Sequence, residues 1–269
     1  MKIRLGIIGC GNIGNFIITN IHQKLKEEMQ INIFDKDIKK VNRLTENFPN
    51  CVKCLNTEEV IQKSDVILES SSVEGCKEIL QIIQNYENKN LVIMSIGGVI
   101  DEDDIIEKLK LKGIKVYIPS GAIGGIDILE ILREQNLLRK IKLITTKPLS
   151  TLEDAPFIKK KNIILENLQN PQVIFRGTLQ EAIEGFPQNI NVAATLSIYS
   201  GTKDLEIEII ADPQIDKNIH KIYIDSEIGE IEIKISNRPS PQNPKTSFLA
   251  VASCLHTLNK AIEEFYNRL

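Results

Sequence analysis

The sequence predicts an α/β chain in two parts: a doubly wound parallel sheet at the N-terminal end, then a second α+β domain on a mixed or antiparallel sheet. Three observations carry this. The apolar run Ile3 to Ile8 ends in Gly9-Cys10-Gly11-Asn12-Ile13-Gly14 and passes directly into a helical pattern. Short apolar runs then alternate with helical segments of roughly 10 to 15 residues as far as Ile118. Beyond Gly125 the runs lengthen and alternate apolar with polar, as in a sheet packed on one face.

Strand, glycine turn and helix in this order form a dinucleotide-binding fingerprint. One glycine permits the tight turn, one brings bare N–H groups to a pyrophosphate, and one lets helix and strand pack closely. Ile13, Phe16, Ile17, Ile21 and Leu25 recur at helical spacing, and the positive end of that helix faces the phosphates. A second strand, Ile31–Phe34, ends in Asp35, about 20 residues past the glycines, where an acid that holds an adenosine ribose is expected. Gly9, Cys10, Gly11, Asn12, Ile13, Gly14 and Asp35 are therefore the first cofactor contacts of a Rossmann domain. Next, Asp37–Phe48 puts Val41, Leu44 and Phe48 on one helical face, and Asn56-Thr57-Glu58-Glu59 reads as a capped helix start. Val66-Ile67-Leu68 suits a strand buried on both faces. The turn after it, Glu69-Ser70-Ser71-Ser72, lies where ligands gather in open parallel sheets, which adds Ser70 and Ser71 to the cofactor contacts. The same serines also suit the cap of a helix over Val73–Tyr86. Leu91–Met94 is another strand, followed by Ser95-Ile96-Gly97-Gly98, small residues that allow a ligand close approach. A helix over Asp101–Lys110 and a further strand over Ile114–Ile118 complete this domain, residues 1–118.

Pro119-Ser120-Gly121-Ala122-Ile123-Gly124-Gly125 reads as a hinge. Residues 119–244 are expected to form the second domain, with strands over Ile141–Thr146, Val173–Arg176, Leu205–Ala211, Ile222–Asp225 and Glu230–Ile235, and helices over Ile128–Leu138 and Ile190–Tyr199. Asn243-Pro244-Lys245-Thr246-Ser247 is predicted to open a final helix with Leu249, Ala252, Leu255, Leu258, Ile262 and Phe265 on one side. Residues 245–269 are expected to pack back on the nucleotide domain.

A chain of 269 residues with 42% apolar content can bury a substantial core. Its net charge of −3, with Lys and Arg scattered among Asp and Glu, offers no basic face for nucleic acid and no polybasic patch for a membrane. No apolar run approaches the roughly 18 to 20 residues of a span, and a first strand at Ile3 leaves no room for a signal peptide. A cytoplasmic protein acting on small molecules is expected. Five cysteines fit reduced thiols. Cys51-Val52-Lys53-Cys54 has ligand-like spacing but no second pair and no histidine nearby, so no metal is expected.

With three histidines, the search for an acid–base group is short. His22 and His256 fall on helices beside apolar residues and read as surface or packing groups. His220 follows a polar turn, Ala211 to Asn218, between two strands, and a loop imidazole with a pKa of about 6.5 suits proton transfer in a cleft. Asn189 is either a helix N-cap or a ligand for the cofactor carboxamide or the substrate, and Asn191 at the same helix start joins it as a substrate candidate. Thr145-Thr146-Lys147-Pro148 and Pro244-Lys245-Thr246-Ser247 bring lysines and hydroxyls to element ends, where an anionic substrate can be held. These nominate Lys147, Lys245, Thr246 and Ser247.

In order along nearly the whole chain, these stretches resemble the L-aspartate dehydrogenases of bacteria and archaea. The resemblance rests on Gly9–Gly14, Pro-Ser-Gly-Ala-Ile-Gly-Gly at 119–125, Thr146-Lys147-Pro148, Phe-Pro-Gln-Asn-Ile-Asn-Val-Ala-Ala-Thr-Leu-Ser at 186–197, Ala211-Asp212-Pro213 with Asn218-Ile219-His220, and Asn-Pro-Lys-Thr-Ser at 243–247. Ser95-Ile96-Gly97-Gly98 departs from the Gly-Ala-Leu that relatives usually carry. The resemblance implies a Rossmann domain joined to an α+β domain for catalysis and dimer contacts, a homodimer, L-aspartate as substrate, His220 as the catalytic histidine, and Ala122 and Asn189 on the nicotinamide side of the cofactor. It also implies iminoaspartate as product, hydrolysed to oxaloacetate and ammonia or passed on toward NAD synthesis. Asp35 favours NAD, because a carboxylate pairs with a 2′-hydroxyl and repels a 2′-phosphate; Lys36, Lys39 and Lys40 leave NADP open. Two rivals stand beside this reading: a reductase of the dihydrodipicolinate-reductase type acting on another imine or amino acid, and a non-catalytic NAD-binding sensor.

Overall fold

Short apolar strands with helical crossovers build the first half of the chain, as their near-continuous Val, Ile and Leu content requires of a sheet covered on both faces. The computed structural model describes residues 3–25, 29–187, 190–240 and 243–268, with the side chains of all of these except 22–25 and 243–245. These residues fall into two units, one running to Pro119 and resuming at Val251, the other Ser120–Ala250.

The first unit runs β1 (Arg4–Ile8), α1 (Asn12–Leu25), β2 (Gln30–Phe34), α2 (Ile38–Asn47), β3 (Cys51–Lys53), α3 (Thr57–Lys63), β4 (Val66–Glu69), α4 (Val73–Ile83), β5 (Asn90–Ile93), α5 (Asp103–Leu111) and β6 (Lys115–Tyr117). Its six strands are parallel in the order β3-β2-β1-β4-β5-β6. The order reverses between β1 and β4, which opens a crevice at their carboxyl ends. β3 is the strand that the sequence leaves unlocated, since three residues show no period. Side chains cap three of the helices: Asp37 accepts from the Lys39 N–H of α2, Asn56 from the Glu59 N–H of α3 and Ser72 from the Gly75 N–H of α4.

The second unit contains α6 (Ile126–Glu134), β7 (Leu138–Lys147), α7 (Pro156–Lys160), β8 (Gln172–Gly177), α8 (Leu179–Gly185), α9 (Asn191–Ser200), β9 (Leu205–Ala211), β10 (Asn218–Ser226), β11 (Gly229–Asn237), β12 (Pro239–Ser240) and β13 (Asn243–Ser247). Its five-stranded sheet has the order β11-β10-β7-β9-β8 and is mixed, β7 and β9 being parallel and the other pairs antiparallel. The helix expected to reach Leu138 stops at Glu134. Asn136 adopts a left-handed conformation with φ 54°, and Leu138 already belongs to β7. Asn243–Ser247, expected to open the last helix, is instead strand β13, paired with β12.

The last helix, α10, is Phe248–Tyr266. Its Cys254, Leu258, Ala261 and Phe265 join the core around Leu5, Ile7, Ile31 and Leu68. The buried stripe of α10 is Val251, Cys254, Leu258, Ala261 and Phe265, flanked by partly buried Leu255 and Ile262, whereas Leu249 and Ala252 are exposed. Small residues at 254 and 261 let the helix approach closely, and the Asn90 side-chain amide donates to the Ala261 carbonyl at 2.6 Å. Among the described residues no helix is long and apolar enough to cross a membrane.

Candidate active site

The glycine turn in the first unit is shaped by close approach. Gly9 has φ 99°, a conformation L side chains rarely adopt, and a Cβ there would lie 2.4 Å from the Ser70 carbonyl oxygen. A Cβ on Gly14 would lie 2.2 Å from the Gly9 carbonyl oxygen, whereas one on Gly11 would meet nothing within 4 Å. Backbone therefore crowds the first and third glycines and leaves the second open, as a pyrophosphate lying on the turn requires. Asn12 and Ile13 begin α1 and put its positive end there.

Asp35 directly follows β2 with each carboxylate oxygen held by a backbone N–H, from Cys10 at 2.7 Å and Asp37 at 2.8 Å, and Lys40 lies 3.8 Å away. Carboxylate oxygens carry further lone pairs, so ribose hydroxyls can still be received. A cavity of about 200 Å³ runs between Gly9, Asp35, Ser71 and Glu78. Cys10 is buried, and burial pushes its thiol up to about 12, so it fills space as an un-ionised group. Ser70 donates to the Gly9 carbonyl at 2.8 Å and so ties the serine turn to the glycine turn.

Glu69, fully buried, is the residue the sequence did not single out. Its carboxylate accepts from the Ser71 N–H and hydroxyl, the Met94 N–H, and the Ser95 N–H and hydroxyl. One charge thus clasps the turns after β4 and β5. Ser95 is engaged by this clasp, and Ile96–Gly98 form a buried 3-10 turn, so packing accounts for small residues that sequence reading offered to a ligand.

In the second unit the inner face of the sheet changes character along its length. Ile141 and Leu143 on β7 give way to Thr145 and Lys147; Ile224 and Ile222 on β10 give way to His220 and Asn218. β7 and β10 are antiparallel, with His220 opposite Thr145, so all four polar residues gather at one sheet end. His220, expected on a loop, is the third residue of β10 and only 3% exposed. Its Nδ1 lies 3.1 Å from the Thr145 hydroxyl. Burial, with the positive Lys147 as a second cause, lowers its pKa to about 3, so the imidazole is neutral at pH 7. Lys147 is 5% exposed, and burial lowers its pKa to about 8.

Asn218 is 6% exposed; its amide makes a long 3.5 Å bond to the Ser247 hydroxyl, and its carbonyl oxygen has no partner among the described residues. On the neighbouring β11, Asn237 donates to the Ala122 carbonyl at 2.8 Å, which fixes the loop carrying Ala122. The structure thus brings His220, Lys147 and Ser247 of the candidates together with Thr145 and Asn218. Thr246 is half-buried on β13, and Asn191 is exposed at the start of α9. Asn189 lies outside the described residues, as do the side chains of Lys245 and His22; His256 is exposed.

Residues 127–261 match the model of the aspartate dehydrogenase C-terminal domain, and residues 9–119 that of a homoserine dehydrogenase NAD-binding domain. L-aspartate dehydrogenases of Methanosarcina barkeri and Methanocaldococcus jannaschii are 33% and 34% identical to this chain, each match covering 97% of both chains.

The chain belongs to the aspartate dehydrogenase family.

The crystal structure of aspartate dehydrogenase from Thermotoga maritima superimposes with a TM-score of 0.72 at 29% identity, covering 97% of each chain. An NAD(P)-binding domain is present, and the glycine turn, Asp35 and the serine turn all fall within or beside its match. The polar sheet end falls wholly within the stretch matched to the aspartate dehydrogenase C-terminal domain.

Proposed function

We propose that this chain is an L-aspartate dehydrogenase that oxidises L-aspartate to iminoaspartate with NAD, with His220 managing the protons. The observation that carries the reading is a buried imidazole and a buried lysine on one sheet face, within a chain that L-aspartate dehydrogenases match over 97% of its length. A bound nicotinamide supplies the acceptor for the hydride from the substrate Cα. The chain's own groups do the rest. Lys147 and Ser247, with Thr246, Lys245 and Asn191, hold the two carboxylates, a charge-assisted contact worth most where water is excluded. His220 takes a proton from the water that adds to the imine carbon and returns one to the departing nitrogen, giving oxaloacetate and ammonia. Two substrate carboxylates raise the imidazole pKa from about 3 toward the working pH, which a general base needs.

Gly9–Gly14, Asp35, Ser70 and Ser71 hold the cofactor, with Ala122 and Asn189 on its nicotinamide side. The carboxylate of Asp35 selects NAD, and Lys36, Lys39 and Lys40 allow NADP at lower affinity. The second unit supplies the contacts of a homodimer, and imine product that is not hydrolysed feeds NAD synthesis. Screening amino acids for nicotinamide reduction with NAD and NADP tests the activity. Turnover on L-aspartate with preference for NAD is expected; turnover only on another amino acid overturns the assignment. Light scattering tests the assembly, a dimer being expected and a monomer contrary to it.

A further inference from the structure

Thr145 has no place in the chemistry above, yet it is the cross-strand partner of His220 in the sheet register. Directly opposed residues on adjacent antiparallel strands stand on the same face with Cβ atoms about 5 Å apart. Here the pair is 5% and 3% exposed, and the Thr145 hydroxyl lies 3.1 Å from Nδ1 of His220. A neutral imidazole carries a single N–H, and that proton selects which ring nitrogen is basic. A hydroxyl both donates and accepts, so this contact admits two tautomers, with opposite consequences. If Thr145 donates, Nε2 carries the proton and the ring begins as an acid. If Thr145 accepts, the proton sits on Nδ1 and Nε2 is free to take one from water.

We propose that Thr145 is the positioning residue for His220, its hydroxyl oxygen accepting the Nδ1–H and thereby leaving Nε2 as the basic nitrogen. The inference rests on the reading of His220 as the proton-transfer group. Two features of the fold support it. Strand pairing fixes both backbones, so the contact depends on no loop. A buried N–H without an acceptor costs about 1–3 kcal/mol, which holds one tautomer over the other by about 5- to 150-fold.

The chain has three histidines, so long-range proton–nitrogen spectra of histidine-labelled, NAD-loaded protein show three imidazoles, and His220→Ala identifies the one of interest. The expected spectrum has the proton on Nδ1 of His220. Thr145→Val keeps the branched shape a strand favours and removes the acceptor. It should shift the tautomer and lower kcat on L-aspartate at least about tenfold, part of the 10²–10⁴ typical of acid–base catalysis, with KM little changed. Thr145→Ser should restore both spectrum and rate. A proton on Nε2 in the wild type overturns the proposal, as does a Thr145→Val variant with unchanged tautomer or unchanged kcat. His220→Ala separates the two layers. An inactive His220→Ala beside a fully active Thr145→Val overturns the tautomer proposal alone, while a fully active His220→Ala overturns the reading beneath it.

Discussion

Replacing Lys147 by methionine removes a charge from a position only 5% exposed while keeping an unbranched chain of similar length. Burial has brought the lysine from its ordinary 10.5 to about 8, so the ammonium is destabilised in the folded protein. At about 1.4 kcal/mol per pH unit, the difference amounts to about 3 kcal/mol carried by the folded state at neutral pH. Lys147→Met should relieve up to that amount, raising the unfolding temperature by several degrees, while lowering kcat/KM for L-aspartate about 10- to 100-fold through loss of a charge-assisted contact. The pH dependence is specific. Between about pH 8 and 10.5 the unfolded chain still holds the Lys147 proton that the folded protein has released, so wild-type stability rises with pH and the variant's advantage shrinks. Urea unfolding of both proteins at neutral pH and near pH 10 reads this. A variant no more stable than wild type at pH 7, or an advantage that does not shrink with pH, refutes the reasoning.

Further outcomes follow from the same geometry. In wild type, the unfolded chain binds a proton at His220 between about pH 6.5 and 3 that the folded protein does not, so stability falls with acid by about 1.4 kcal/mol per pH unit across that window; His220→Leu should flatten this limb of the acid-unfolding curve. Gly14→Ala drives a methyl against the Gly9 carbonyl, a backbone atom that cannot swing aside, and should weaken NAD binding at least about tenfold, about 1.4 kcal/mol, by calorimetry. Glu69→Gln turns an amide NH₂ toward donors of the two crevice turns and should cost about 2–3 kcal/mol in denaturant unfolding.

Much of the fold was legible because its signals are local. The glycine turn, its helix and Asp35 stand in one continuous stretch, and the parallel sheet is written in strands too apolar to be half-exposed. The sequence puts His220 on a loop because it follows the polar stretch Ala211–Asn218, yet Asn218 and His220 continue backward the every-second-residue burial of Ile222 and Ile224. Thr145 and Lys147 likewise extend Ile141 and Leu143. Polar residues where the strand period calls for apolar ones were the available sign of a site. Pro244 resembled the first residue of a helix, but residues 243–247 pair as β13. Glu69 gave no signal at all, since its donors come from Ser71, Met94 and Ser95, and only the sheet brings those turns together.

The proton chemistry turns on one ring, the His220 imidazole. Nicotinamide reduction by L-aspartate, measured for wild type and His220→Ala beside the NAD dissociation constant of each, tests it most directly. The variant should bind NAD as wild type does and lose at least about 10²-fold in kcat. A His220→Ala protein that oxidises L-aspartate at the wild-type rate contradicts it.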